Sequence, residues 1–573
     1  MEPELIKNQS PDANLQSYSE TFKKFSWSDL EPEFSWSQSG QINIVHEAID
    51  RWAMDQSRGD QIALTVEKQG TLHQYTFREL METSCAWANL LKEYGFEPGD
   101  RLFILLTPGP EVFLAMAACA RLGVIFSNLY LTLSFDELDG LIKYARPKGI
   151  VTEPDLAELL PLDEKGPVKQ VFLTEGPATG LPVPEVVVKE RLDGLSRQFP
   201  TTWVERDWPL YLVFTSGSTG PPKGVVHAHK DMLGHLLTAR YVLDLRPGST
   251  LWTDANHAWV TGTVYSAFAP WLCGAASVVQ AEPFSGSTWY RTLERLQVEV
   301  WYTTPATIRK LMEAGEDLPG RYDLSSLRHI CTVGEPLGPE LFRWVRKSLK
   351  HNPHDTWWMS ETGMICIANF PSVDIKAGSM GKPVPGVKAL VLDEEGKPLP
   401  LLSMGELALK ADWPAMAVGL WEDEGRYQEY FRHQGIFLTG DMVVRDEDGY
   451  FFYQGRIDDL IKAGDKLIGP FEVENVLTRH PAVAEAAVIS KAGNRGKPAL
   501  KAFIILNLGQ TPSTRLKQEI MAFVKANLAP DIPFTQVEFM DSLPRTKSGK
   551  LLRRVLRAKE LGLPSGDPAM LHD

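Results

Sequence analysis

Short apolar runs alternate along most of this chain with longer stretches whose apolar residues recur three and four positions apart. "RLFILL" (101–106), "GIVT" (149–152), "QVFLT" (170–174) and "LYLVF" (210–214) are predicted as buried strands, since they present no polar face to solvent. "EVFLAMAACARLG" (111–123) and "STWYRTLERLQ" (287–297) are predicted as helices. Alternation of this kind predicts an α/β fold with largely parallel sheets. The pattern changes near the C-terminus. "GYFFYQG" (449–455), "AEAAVIS" (484–490) and "KAFIILN" (501–507) are predicted strands, and within 514–529 Leu516, Ile520, Phe523, Val524 and Leu528 share one helical face. A small α+β domain with its own core is expected there. The joint falls in "GRIDDLIKAG" (455–464), dividing the chain into 1–457 and 458–573. No repeat of about 20 to 50 residues recurs.

Composition narrows the class. A chain of 573 residues exceeds one simple domain, and its net charge of −14 gives a nucleic-acid role no electrostatic support. The basic run "KSGKLLRRVLRAK" near the C-terminus is read first as a solvated helix face. Five cysteines, with no CxxC pair, argue against a disulfide framework or a zinc knuckle. The polar start "MEPELIKNQSPDANLQ" is unlike a signal peptide, and no apolar run reaches the roughly 18 residues of a membrane span. A cytoplasmic protein with no membrane or nucleic-acid partner is expected; its oligomeric state is left open.

The strongest chemical signal is "YLVFTSGSTGPPKGVVHAH" (211–229). A strand runs directly into Thr215, Ser216, Gly217, Ser218, Thr219 and Gly220, with Lys223 closing the loop. Glycines let backbone N–H groups approach an anion, hydroxyls add donors and the lysine adds a charge. That is the physics of phosphate binding, although the spacing is not that of a Walker A loop.

These residues resemble the signature of the AMP-forming acyl-CoA synthetases. The resemblance continues in order through "FSWSQSGQINIVHEAIDRW" (34–52), "WVTGTVYSAFAPWLCGA" (259–275), "VGEPLGPE" (333–340), "DTWWMSETG" (355–363), "GSMGKPVPG" (378–386), "TGDMVVRDEDGYFFYQGRIDD" (439–459) and "LPRTKSGKLLRRVLRA" (543–558). It is strongest toward the acetyl-CoA synthetase branch. It implies a large multi-subdomain N-terminal domain, a hinge and a mobile C-terminal domain. It also implies a ligase using ATP, Mg2+ and coenzyme A, in which a small carboxylate attacks the α-phosphate and the CoA thiol then displaces AMP.

Residue by residue, Lys550 is similar to the family's catalytic lysine, and Glu361 resembles its magnesium-binding glutamate. Ser360 stands where relatives usually carry threonine. Gly334, Glu335 and Pro336 resemble the segment along the adenine, and Asp355, Thr356 and Trp357 belong with it. Asp441 resembles the ribose aspartate, Arg456 a nucleotide-contacting arginine, and Asp458 the hinge residue. Gly464 resembles a glycine that faces the CoA tunnel in the second conformation. There the chain departs from its relatives: Lys466 replaces an arginine, and Gly469 sits one residue further along than the family's glycine. Lys525 is a further candidate phosphate contact.

The acyl pocket of the acetyl branch resembles Trp259, Val260, Thr261, Val333 and Trp358 here. A bulky Trp358 implies acetate, with propionate tolerated. Ala258, in the altered segment "NHA" (256–258), and Met364 keep open a larger or cyclic acid, and the ATP-forming direction stays open too.

Overall fold

The computed structural model describes residues 4–8, 10–178, 180–215, 222–463, 466–492, 498–507, 509–528, 532–545 and 551–561. Two large sheets build the N-terminal domain. One orders eight strands as Gly419–Leu420, Lys223–Ala228, Pro209–Thr215, Ile125–Asn128, Arg101–Leu105, Gly149–Thr152, Gln170–Leu173 and Glu185–Val187. Its strands pair in parallel from Pro209–Thr215 onward, and Lys223–Ala228 pairs antiparallel to both of its neighbours. The other sheet orders nine strands. Its parallel centre runs Pro353–Trp357, His329–Thr332, Val300–Thr303, Thr250–Thr253, Ala276–Gln280 and Ile62–Lys68.

The four strands read from apolar runs and the two helices, Pro110–Leu122 and Gly286–Arg295, form within a residue or two of their expected ends. Helices Phe77–Glu93, Pro110–Leu122 and Met232–Tyr241 pack in the shared core, where Pro110–Leu122 is buried almost all round. That explains its poor amphipathicity: helices without a solvent face read as continuous apolar sequence.

A four-stranded antiparallel sheet follows: Ala389–Leu392, Met404–Lys410, Ile436–Arg445 and Phe451–Arg456. The run "GYFFYQG" belongs to this sheet, on the larger domain's side of the 457/458 boundary. Its strand pairs with Ile436–Arg445, with Asp441 opposite Arg456, and so completes the larger domain. Beyond it, Val483–Ala492, Pro498–Leu506 and Phe534–Phe539 form a separate sheet covered by helices Pro470–Leu477, Thr514–Asn527 and Arg553–Leu561. Leu516, Ile520 and Val524 are buried in that unit's own core, with Phe523 and Leu528 packed at its edge. Among the described residues, no helix is long and apolar enough to cross a membrane.

One turn decides where the acidic residues of the site point. After strand Pro353–Trp357 the chain makes a short 3-10 turn, Ser360–Thr362, and reverses at Gly363 with φ of 67°. A β-carbon at Gly363 would strike the Ala415 carbonyl and approach the His227 ring to 2.8 Å. Both the left-handed backbone and the close approach therefore require glycine. Gly363→Ala is expected to destabilise the protein by more than the ~1–2 kcal/mol of a left-handed residue alone. Equilibrium denaturation against the wild-type protein checks it.

Candidate active site

The two large sheets, the four-stranded sheet and the C-terminal helix Arg553–Leu561 meet around one cleft of about 1210 Å³. Its lining includes Thr215, Lys223, Trp259, Val260, Thr261, Val333, Gly334, Glu335, Pro336, Asp355, Thr356, Trp357, Trp358, Ser360, Glu361, Asp441, Arg456 and Asp458. Residues nominated from motifs spread over almost 250 positions thus share one cavity. Ser216, Gly217, Ser218, Thr219, Gly220, Gly464 and Lys550 lie outside the described residues. Lys525 is exposed on helix Thr514–Asn527 and is not part of the lining.

The charged floor is a three-residue cluster. Lys223, first residue of the strand Lys223–Ala228, bonds Glu361 and the Tyr430 hydroxyl. Tyr430 donates to the same Glu361 Oε1 at 2.9 Å, and its ring stacks on Phe437 at 5.2 Å. Burial pushes the Glu361 carboxyl up. The Lys223 charge and these bonds outweigh that and hold it at about 2. Burial and the Glu361 charge push the Tyr430 phenol well up, so it stays protonated and donates.

Beneath the cluster, His227 Nε2 donates to the Ser360 carbonyl at 2.7 Å, while Nδ1 faces Asp231 at 2.7 Å. His235 Nε2 donates to the Gly363 carbonyl at 3.1 Å. Two buried imidazoles thereby tie down the turn that carries Ser360 and Glu361. Burial lowers His235 to about 3, so it donates as a neutral ring.

The two adjacent tryptophans are tied to different elements around the cleft. Trp357 Nε1 donates to Asp441 Oδ2 at 2.8 Å, and Arg456 Nη1 bonds Asp441 Oδ1 at 2.9 Å. Trp358 Nε1 donates to the Tyr302 hydroxyl at 3.1 Å, which in turn reaches Thr356 Oγ1 at 2.9 Å. Tyr265 meets the Trp358 ring edge-on at 5.3 Å and 82°. Trp358 is therefore fixed at its nitrogen and on its ring, the geometry of a wall rather than a flap.

Ala258, Trp259, Val260, Thr261 and Val333 line the same cleft as Trp358. Gly334, with φ of 97°, lets Trp259 come close: a β-carbon there would meet its ring at 2.9 Å. Met364 is fully buried against Gly234 and does not line the cleft. Two hydroxyls on the cleft, Thr215 Oγ1 and Thr261 Oγ1, are buried with no partner among the described residues. Buried unpaired donors are costly, and a bound polar group at each would satisfy them. Asp355 is pushed up to about 7 by burial, against bonds from Thr332 Oγ1 at 2.8 Å and the Leu337 N–H.

Tyr430, Tyr302 and the His227–Asp231 pair were not singled out from sequence. His227 falls inside the quoted "GVVHAH" run, four residues after Lys223, and so shares its strand face. Nothing local marks Tyr302 or Tyr430.

Two family models match this chain: AMP-binding enzyme over residues 49–421, and AMP-binding enzyme C-terminal domain over 472–550. The chain belongs to the AMP-binding enzyme family. It is 43% identical to an acetyl-coenzyme A synthetase of Bacillus subtilis (strain 168) over 98% of both chains. It is 34% identical to an acetyl-coenzyme A synthetase of Methanothrix soehngenii, over 94% of this chain and 85% of that one. Among solved structures, the anthranilate CoA ligase AuaEII in complex with anthranoyl-AMP superposes with a TM-score of 0.84. That likeness carries 27% identity and covers 94% of this chain and 99% of the other.

The Lys223–Glu361 pair yields a pH signature. Glu361 lies below its ordinary value near 4.5, so its contribution to stability is full above that pH and is lost as pH falls toward about 2. In Lys223→Met the cation is gone and burial pushes the carboxyl up against the Tyr430 bond that remains, so the variant is expected to be less stable than the wild type at neutral pH, with the deficit shrinking as pH falls and the carboxyl takes up its proton. Circular dichroism across an acid titration checks the direction.

Proposed function

We propose that this protein is an AMP-forming acyl-CoA synthetase for short-chain acids, joining acetate, with propionate tolerated, to coenzyme A at the expense of ATP. The observation that carries the acid assignment is Trp358, fixed by Tyr302 and Tyr265 in the cleft that Val260, Thr261 and Val333 also line. A fixed indole excludes longer chains by overlap, whereas one methylene changes discrimination by only ~1–3 kcal/mol. Acetate and propionate therefore stay close. The buried position of Met364, away from the cleft, removes one of the two reasons for a larger or cyclic acid.

In this reading the nucleotide lies on the Trp357 and Asp441 side of the cleft, and the acid on the Trp358 side. Asp441, oriented by Trp357 and Arg456, accepts the ribose hydroxyls. Gly334, Glu335 and Pro336 border the adenine. The Thr215 hydroxyl and Lys223 meet the phosphates together with the glycine loop. Ser360 donates toward the α-phosphate. Positioning and charge neutralisation then carry the first step: acid oxygen and α-phosphorus are brought together, and pyrophosphate departs. Lys550 neutralises charge at the α-phosphate.

The residues present fit magnesium. No group of three or more His, Cys, Asp or Glu side chains among the described residues is arranged for a metal. A single carboxylate, Glu361, suits an ion that keeps several waters and takes its other ligands from phosphate. When bound, that ion would supply neutralising charge at the phosphates.

The hinge is assigned to Asp458, dividing 1–457 from 458–573, so that rotation of the smaller domain serves the thioester step. Arg557 bonds the Asp458 carbonyl at 3.0 Å and pairs with Asp459 at 3.3 Å, linking the joint to the C-terminal helix. Cytoplasmic placement is supported by five free, buried cysteines, and a small-molecule role without nucleic acid by the net charge of −14.

The test is a substrate profile by pyrophosphate release over acids of two to eight carbons. Wild type is expected to use acetate best. Trp358→Gly is expected to gain activity with acids of about five to eight carbons, by at least tenfold, and to lose it with acetate. A variant that gains no longer acid shows that Trp358 is not the pocket wall. A second arm tests Lys550. Lys550→Ala is expected to lose pyrophosphate release while still converting supplied acyl-adenylate and CoA to the thioester; normal adenylation by that variant would remove the role assigned to Lys550.

A further inference from the structure

Four charged side chains meet where the two domains face each other at the rim of the cleft. Arg309, on helix Pro305–Glu313, and Glu335 belong to the larger domain; Glu485, on strand Val483–Ala492, and Arg545 belong to the smaller one. Arg309 Nη1 lies 3.7 Å from Glu335 Oε1 and 3.5 Å from Glu485 Oε1. Arg545 lies 3.7 Å from Glu335 Oε2 and 2.6 Å from Glu485 Oε2. Charges alternate around this square, and each carboxylate touches one arginine from each domain. All four side chains are between 19% and 27% exposed, so the contacts are partly shielded from water.

The square adjoins segment 546–550, which ends at Lys550 and lies outside the described residues. Arg545 forms an antiparallel bridge with Leu551, which brings together the two ends of segment 546–550. Leu551 and Leu552 line the cleft directly. Fixing Arg545 against Glu335 therefore fixes where that segment starts relative to the nucleotide compartment.

The square also divides cleanly. If the domains rotate apart, Arg309 keeps Glu335 and Arg545 keeps Glu485. Each half stays a neutral pair, so release strands no charge, and an unpaired buried charge is the costly outcome that is avoided. An apolar contact of the same area would expose its surface on opening; this one exchanges cross-domain partners for partners already present.

We propose that Arg309 is a positioning residue for the adenylation half-reaction. Through Glu485, with Glu335 and Arg545 completing the square, it holds the C-terminal domain in the orientation that presents Lys550. It contributes nothing to the orientation used for thioester formation. This rests on the function proposed above and adds to it which contacts select between the two half-reactions.

Arg309 is not part of the cleft lining. Removing its charge leaves Glu335 and Glu485 facing one another across the domain boundary with one arginine between them. Arg309→Gln is expected to slow single-turnover pyrophosphate release from acetate and ATP by about fivefold, the scale of one partly exposed ion pair. Thioester formation from synthetic acetyl-adenylate and CoA is expected to change by less than about twofold. Arg309→Lys is expected to restore most of the loss, and raising salt to about 1 M to narrow the gap between wild type and Arg309→Gln, since screening acts on the remaining pairs. Equal slowing of both half-reactions would mark Arg309 as merely structural and overturn the proposal. So would an unchanged adenylation rate, or a loss confined to the thioester step. Wild type is measured first. If it releases no pyrophosphate with any acid of the series, the proposed function fails; if it does and the variants show no split between half-reactions, only this inference fails.

Discussion

The site depends on a buried ion pair that joins the two large sheets. Lys223 begins a strand of the eight-stranded sheet, Glu361 follows a strand of the nine-stranded one, and Tyr430 comes from the 3-10 turn Glu429–Phe431. Removing one partner of such a pair leaves an uncompensated charge and typically costs about 3–5 kcal/mol. The lysine and the carboxylate therefore hold each other in place. The same strand that supplies Lys223 supplies His227 four residues later, on the same face, where it bonds the Ser360 carbonyl. One strand thus fixes both the side chain and the backbone of the acidic turn. Gly363 completes the turn by allowing the reversal that no other residue fits.

A second constraint sets the two adjacent tryptophans to different bonding tasks. Adjacent residues at a strand end point to opposite sides, and Trp357 and Trp358 use that alternation. Their indole nitrogens donate to different elements: one to Asp441 on strand Ile436–Arg445, the other to Tyr302 on strand Val300–Thr303. Each ring is oriented by a hydrogen bond rather than by packing alone.

Much of this was legible in the sequence, for physical reasons. Strands buried on both faces read as continuous apolar runs, so 101–106, 149–152, 170–174 and 210–214 are found from sequence. The glycine and hydroxyl loop announces anion binding through its backbone chemistry, and its relation to known enzymes supplied the remaining residues. Other features were not legible. The sheet that strand Phe451–Arg456 joins is one, because local pattern does not name a strand's partner; pairing with Ile436–Arg445 decides it. Tyr302 and Tyr430 carry no local signal, since each acts through groups many residues away. The charge square is illegible for the same reason: Arg309, Glu335, Glu485 and Arg545 are ordinary surface charges until the fold brings them together. Met364 shows the reverse error, being close to Trp358 in sequence yet buried against Gly234 on another side of the turn.

The central claim is that this cleft activates a short carboxylate on ATP before coenzyme A takes part. Exchange of labelled pyrophosphate into ATP, run with magnesium and acetate but without CoA, tests it most directly. The account predicts exchange that depends on acetate and proceeds at full rate in the absence of CoA. Exchange that requires CoA, or that fails with acetate and propionate but runs with a cyclic acid, would contradict it.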